Sequence, residues 1–187
     1  MGLPLPYGCL RFLQSEEAAA IIDEFMRHRG VHLDPNTDEY GYFIQCDLRY
    51  PDHLMDYFAS FPPLPERKKV LYEELSPHTR QLGKTYGIKS NRPTTKLISD
   101  LRPKHKYTLH YAFLKHVLFL GVELIKIHRV VQFKQKAWLK PYIEANTLMR
   151  SKATSESERN FWKLMNVRNA FYFTSIFFFI YFSHINI

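Results

Sequence analysis

The chain has 187 residues, 45% of them hydrophobic and 16% aromatic, which suits one domain with a real core and excludes a disordered chain. The net charge of +8 is uneven: residues 1–100 hold 12 Lys/Arg against 14 Asp/Glu, and residues 101–187 hold 14 against 4. The basic half points to a polyanionic partner, with nucleic acid or a nucleoside triphosphate leading and a merely solvated basic face as the alternative.

At the N-terminus, "LPLPYGC" reads as turn-rich, with Pro4, Pro6 and Gly8 breaking any regular element. No basic stretch followed by an apolar run begins the sequence, so a secretory signal is not expected. Ser15 and the following "EEAAAIIDEFMRHR" read as a capped helix, acidic in its first turn and basic in its last. "YGYFIQCDLRY", residues 40–50, is rich in aromatic and β-branched residues and reads as a strand ending at Pro51. "FPPLPERKK" reads as extended and proline-punctuated. "TKLISDL" and "KYTLHY" read as two short strands around a polar "RPKHK" turn. "YAFLKHVLFLG" follows as an amphipathic helix stopped by Gly121. "VELIKIHRVVQFK" is a β-branched strand, and "KPYIEANTLMRSKA" and "ESERNFWKLMN" are helical segments with "TSES" as turn and cap between them.

Cys9 and Cys46 form no CxxC pair, which fits a reducing compartment and provides no metal framework. His28 and His32 stand four apart with Gly30 between them, and the nine histidines read as ordinary surface or core residues. The tail "NAFYFTSIFFFIYFSHINI" carries no charge after Arg168. Its strongly apolar stretch falls short of the roughly 20 residues of a spanning helix. A marginal membrane segment and translation into intronic or frame-shifted sequence both fit it.

The most specific stretch is residues 107–166. Its order of "YTLHY", a helix ending in Gly, "KIHRV", "FKQKAWLKPYIEANTLMR" and "KLMN" closely resembles the segment leading into motif B of protein-primed family B DNA polymerases, above all those of Maverick/Polinton-type transposons and related viruses. "PLPYG" resembles the family segment just after motif A, and "GYFIQCDLRYPDHLMDYFASFPPLPERKK" is similar to the family's "GYxxEVDLEYPxxLHDxHNDYPLAPEK". The resemblance covers about residues 2–166. It implies an α+β (mixed) fold: a partial palm-like region over 1–110, a fingers and motif B region over 111–166, and an apolar tail outside the family over 167–187.

The implied reaction is DNA-directed DNA synthesis with a DNA template and primer, deoxynucleoside triphosphates, and a terminal protein as a further partner. The setting is intracellular, and nuclear for a eukaryotic mobile element. Two Mg²⁺ ions on carboxylates assist the 3′-hydroxyl and the leaving pyrophosphate in such a reaction. In the family the carboxylates come from motif A, which would precede Met1, and from a later Asp-Thr-Asp; no Asp-x-Asp occurs in this sequence. No catalytic residue and no metal ligand is therefore assigned. Asp47 falls downstream of motif A, and Tyr50 follows it by three positions where the motif needs five, so it reads as structural.

The resemblance places Lys163 as the motif B lysine that meets the triphosphate, where a fixed cation offsets developing charge. Arg159, one turn earlier, is a second candidate cation, Lys152 aligns with another basic fingers residue once a gap is allowed, and Asn166 matches the first motif B asparagine. After Asn166 the family continues "NSxFGK", whereas this chain has "VRNAFYF". Lys134, Lys136 and Lys140 interleave with Trp138 and Tyr142 as in nucleic-acid grooves. The alternative is that the two aromatics anchor a core while the lysines face solvent.

Overall fold

The computed structural model describes residues 4–87 and 94–167. The fold is mixed α+β. Its strands are β1 (Leu5–Phe12), β2 (Tyr40–Arg49), β3 (Glu66–Val70), β4 (Thr94–Ile98), β5 (Lys104–His110) and β6 (Glu123–Lys136). Its helices are α1 (Ser15–His28), a short α2 (Met55–Phe58), α3 (Pro77–Thr85), α4 (Tyr111–Phe119), α5 (Lys140–Lys152) and α6, helical over 156–167. A four-stranded sheet has the order β1-β6-β2-β5, and β3 with β4 forms a separate two-stranded ribbon. The apolar tail over 168–187 lies outside the described residues. Among the described residues, no helix is long and apolar enough to cross a membrane.

The described residues pack as two compact units that interleave in sequence: residues 11–33 with 42–87 and 94–132, and residues 4–10 with 34–41 and 133–167. The first holds the main hydrophobic core. On β2, Ile44, Cys46 and Leu48 are buried while Gln45, Asp47 and Arg49 take the other face, the period of two that a half-buried strand requires. β5 runs antiparallel to β2, with Ile44 opposite Leu109 and Cys46 opposite Tyr107. α4 covers the apolar face with Tyr111, Leu114, Val117 and Leu118, a stripe at helical spacing. It stops where expected, since Gly121 has φ +99 and a Cβ there would lie 2.6 Å from Leu54. Burial pushes the Cys46 thiol up to about 12, so it stays a thiol and behaves as a core hydrophobe.

Several expectations need correction. The proline-marked N-terminus is a strand, because β1 lies at the edge of the sheet, where Pro6 needs no ladder donor on its outer side. Cys9, with φ 55, locally breaks its regularity. α1 begins at Ser15 itself and Gln14 takes the cap position; the Glu17 carboxylate accepts the Gln14 N–H at 3.4 Å. α3 is an additional helix, started by Ser76, whose Oγ accepts from Thr79 N at 3.1 Å, and by Pro77 in its first turn.

The polar "RPKHK" segment is only partly a turn. Lys104 and His105 open β5, and the two flanking strands pair elsewhere, β4 with β3 and β5 with β2. The reason is a buried lysine: the Lys104 side chain is 0% exposed, with Nζ 2.5 Å from Asp100 Oδ1 and 3.4 Å from Glu66 Oε2. Asp100 also accepts from Arg102 at 2.6 Å, and Arg102 reaches Glu74 at 3.4 Å. This chain of alternating charges gives Lys104 the partners that a buried ammonium requires.

Candidate nucleic-acid interface

The residues matched to the triphosphate grip lie on a helical hairpin within the second unit. α5 starts with Lys140 and Pro141, a sequence that suits a first turn. Ser155 then caps α6 as the "TSES" reading expects: its Oγ accepts from Glu158 N at 3.2 Å, and the Glu158 carboxylate accepts from Thr154 N at 3.3 Å. Asn166 donates to Thr147 Oγ1 at 3.4 Å, while Arg159 Nε donates to the Ala153 carbonyl at 3.4 Å. The first contact joins α6 to α5, and the second ties α6 to the turn between them.

Arg159, Lys163 and Asn166 follow one another at i, i+4 and i+7, along one stripe of α6. Lys152 ends α5, one residue before the carbonyl that Arg159 holds. The hairpin thus collects all four residues on two adjoining helices. Lys152 and Lys163 are exposed, and among the described residues neither has a carboxylate within ion-pair distance. Arg159 is partly committed to the turn and Asn166 to helix pairing.

The strand-to-helix segment is less available. Lys134 lies 3.0 Å from Glu39 Oε1 and 5.6 Å over the Tyr40 ring. The hydrogen bond to Glu39 raises its pKa further, so it is a paired cation. Lys140 makes a long, exposed contact of 3.8 Å with Glu144, a geometry that contributes little to stability. Lys136 is exposed, and Trp138 and Tyr142 are half-buried.

Beneath these lysines, Phe133 is fully buried against the backbone of Gly41. A Cβ on Gly41 would meet the Phe133 ring at 2.3 Å and Gln135 Oε1 at 2.6 Å. Gln135 is fixed by its Nε2 donating to the Asp38 carbonyl at 2.9 Å. Gly41→Ala is expected to cost about 1–3 kcal/mol through overpacking. Urea denaturation of the variant against the parent checks it, and unchanged stability would mean that Phe133 moves freely.

In the other unit, Asp47 sits where the β2–β5 register shifts, between Cys46 and Leu48. Its Oδ1 accepts the Lys106 N–H at 2.7 Å, and Lys106 has φ 50, so the carboxylate braces a bulge with an unfavourable backbone conformation. His128 Nε2 lies 2.9 Å from the same oxygen. That is an ion-pair distance, though the ring nitrogen is not aligned as a hydrogen-bond donor. The Lys106 N–H and then His128 hold the Asp47 carboxyl below its usual range. No second carboxylate joins it, and among the described residues no three His, Cys, Asp or Glu side chains group to hold a metal ion. The described carboxylates do not fit a two-metal site. Of the paired histidines, His32 Nδ1 lies 2.8 Å from Glu24 Oε2, with the His28 ring edge-on at 5.0 Å.

Sequence reasoning did not find the carboxylate cage around Lys104, because its members come from positions 66, 100 and 104. Only the Asp100–Lys104 spacing was visible as a local signal. Comparisons with protein families, with curated proteins and with solved structures returned no match to this chain.

Proposed function

We propose that this chain is related to DNA-directed DNA polymerases of the protein-primed family B type, retaining contacts to DNA and triphosphate but not catalysing synthesis by itself. The observation that carries the reading is the α5–α6 hairpin. It puts the motif-matched Lys163 at an exposed position without a carboxylate partner among the described residues, one turn from Arg159. A fixed cation there contacts phosphate rather than balancing an internal acid. The absence of catalysis rests on the sequence, which holds no Asp-x-Asp, and on the engagement of Asp47 by Lys106 and His128. Two-metal nucleotidyl transfer needs carboxylates free to hold the ions.

Primer extension and strand binding test this together. With Mg²⁺, primer–template and all four deoxynucleoside triphosphates, the purified chain is expected to give no template-dependent product. Single-stranded DNA is expected to bind with a salt slope that falls by about 0.7 in Lys163→Ala, one lost phosphate contact. Template-dependent extension would overturn the inactive reading and return Asp47 to the active site. Absence of DNA and triphosphate binding at low salt would overturn the binding reading.

A further inference from the structure

The β3–β4 ribbon carries a concentration of positive charge that the fold does not neutralise. In register, Arg67 faces Leu97, Lys68 faces Lys96 and Lys69 faces Thr95. Alternation along a strand places Lys68 and Lys96 together on one face and Arg67 with Lys69 on the other. Among the described residues none of these four cations has a carboxylate within ion-pair distance. The nearby acids are committed: Glu66 faces the buried Lys104, and Glu74 takes the Leu71 N–H and Arg102, with Lys68 near enough only to help depress its pKa.

Directly opposed like charges destabilise an antiparallel pair. Lys68 against Lys96 is therefore a local cost to the free protein, in a two-stranded ribbon that has little stability to spare. Such a pair is relieved when a polyanion lies across it. The other face, with Arg67 and Lys69, extends the positive surface around the ribbon. A two-stranded ribbon also has the width that enters the major groove of a DNA duplex.

The geometry points to the β3–β4 ribbon as a second nucleic-acid contact, engaging the backbone phosphates of double-stranded DNA through Lys68, Lys96, Arg67 and Lys69. This deepens the DNA-binding reading above and rests on it, but uses residues of a different unit from the hairpin. The contact is sequence-independent, because phosphates carry no base identity.

The test compares the full chain with Lys68→Gln/Lys96→Gln, using a short fluorescently labelled DNA duplex across a salt series. The double variant is expected to lower the salt slope by about 1.8, two phosphate contacts, and to weaken low-salt binding on the order of tenfold or more. Its melting temperature without DNA is expected to rise at low salt, a gain that added salt screens away. A duplex slope unchanged in the double variant, with the Lys163→Ala effect intact, overturns the ribbon contact and leaves the hairpin reading standing. No duplex or single-strand binding by the parent overturns both. Displacement of the duplex by polyglutamate at equal charge concentration overturns the assignment to nucleic acid in favour of an acidic protein partner.

Discussion

Lys104→Ala is expected to lower the stability of the fold by about 3 kcal/mol or more, toward the lower end of what breaking a buried ion pair costs. The lysine is 0% exposed and Asp100 is 20% exposed. Removing the ammonium leaves a partly buried carboxylate with Arg102 as its remaining cationic partner, at 2.6 Å. That partner is why the expected loss sits near the bottom of the range. The removed side chain also leaves a cavity, which Lys104→Met largely fills. Met is therefore expected to lose less than Ala, because it leaves a smaller cavity, although it deprives Asp100 of the same cation. Urea denaturation followed by circular dichroism measures both, and Ala and Met variants equal to the parent would show that the cage contributes nothing. Burial opposes ionisation of Asp100, but hydrogen bonds from Lys104 and Arg102 outweigh it and hold its carboxyl below the usual range. Its contribution is thus present above the ordinary carboxylate pKa and lost as pH falls through the lowered one.

Acidification is expected to destabilise the protein well before its carboxylates titrate, through His110. Burial lowers its pKa from 6.5 to about 4. The imidazole caps α4 in its neutral form, with Nδ1 accepting from Ala112 N at 3.3 Å, and packs against Phe43 and Tyr111. Protonation would remove that acceptor and place a charge at a positive helix end. The unfolded chain takes up the proton first, so stability is full above pH 6.5 and falls as pH drops from 6.5 toward 4. A shift of this size corresponds to at most about 3 kcal/mol. His110→Asn keeps a capping acceptor without the titration. Its stability is expected to be lower at neutral pH but flat across this window, and a parent curve equally flat would refute the assignment.

Much of the local structure was legible in the sequence. The alternation of β2 and the stripe and terminal glycine of α4 each follow from spacing that backbone geometry imposes. So does the Ser155 cap of α6. The candidate grip was legible only through resemblance. Spacing puts Arg159 and Lys163 on one helical face, but the Thr147–Asn166 and Ala153–Arg159 contacts that seat α6 on α5 join residues of different elements. β1 was misread for a related reason: Pro6 breaks a central strand and suits an edge strand, and strand order is not written in local composition. The "RPKHK" segment was misread because polarity normally marks surface, and the carboxylates that make Lys104 buriable lie outside it.

The sequence by itself determined most of the elements, though not β1, α3 or the start of β5, together with the basic character of the second half and the absence of an Asp-x-Asp, because propensity, periodicity and charge are properties of neighbours along the chain. The tertiary structure alone decided that Lys104 is interior, that Asp47 braces a bulge beside His128, that Lys134 is neutralised by Glu39, and that Lys68 stands opposite Lys96. Each of these depends on a partner brought near by strand register or chain reversal. A charged side chain is free or spent according to what lies within a few ångströms, and that distance is set by the fold.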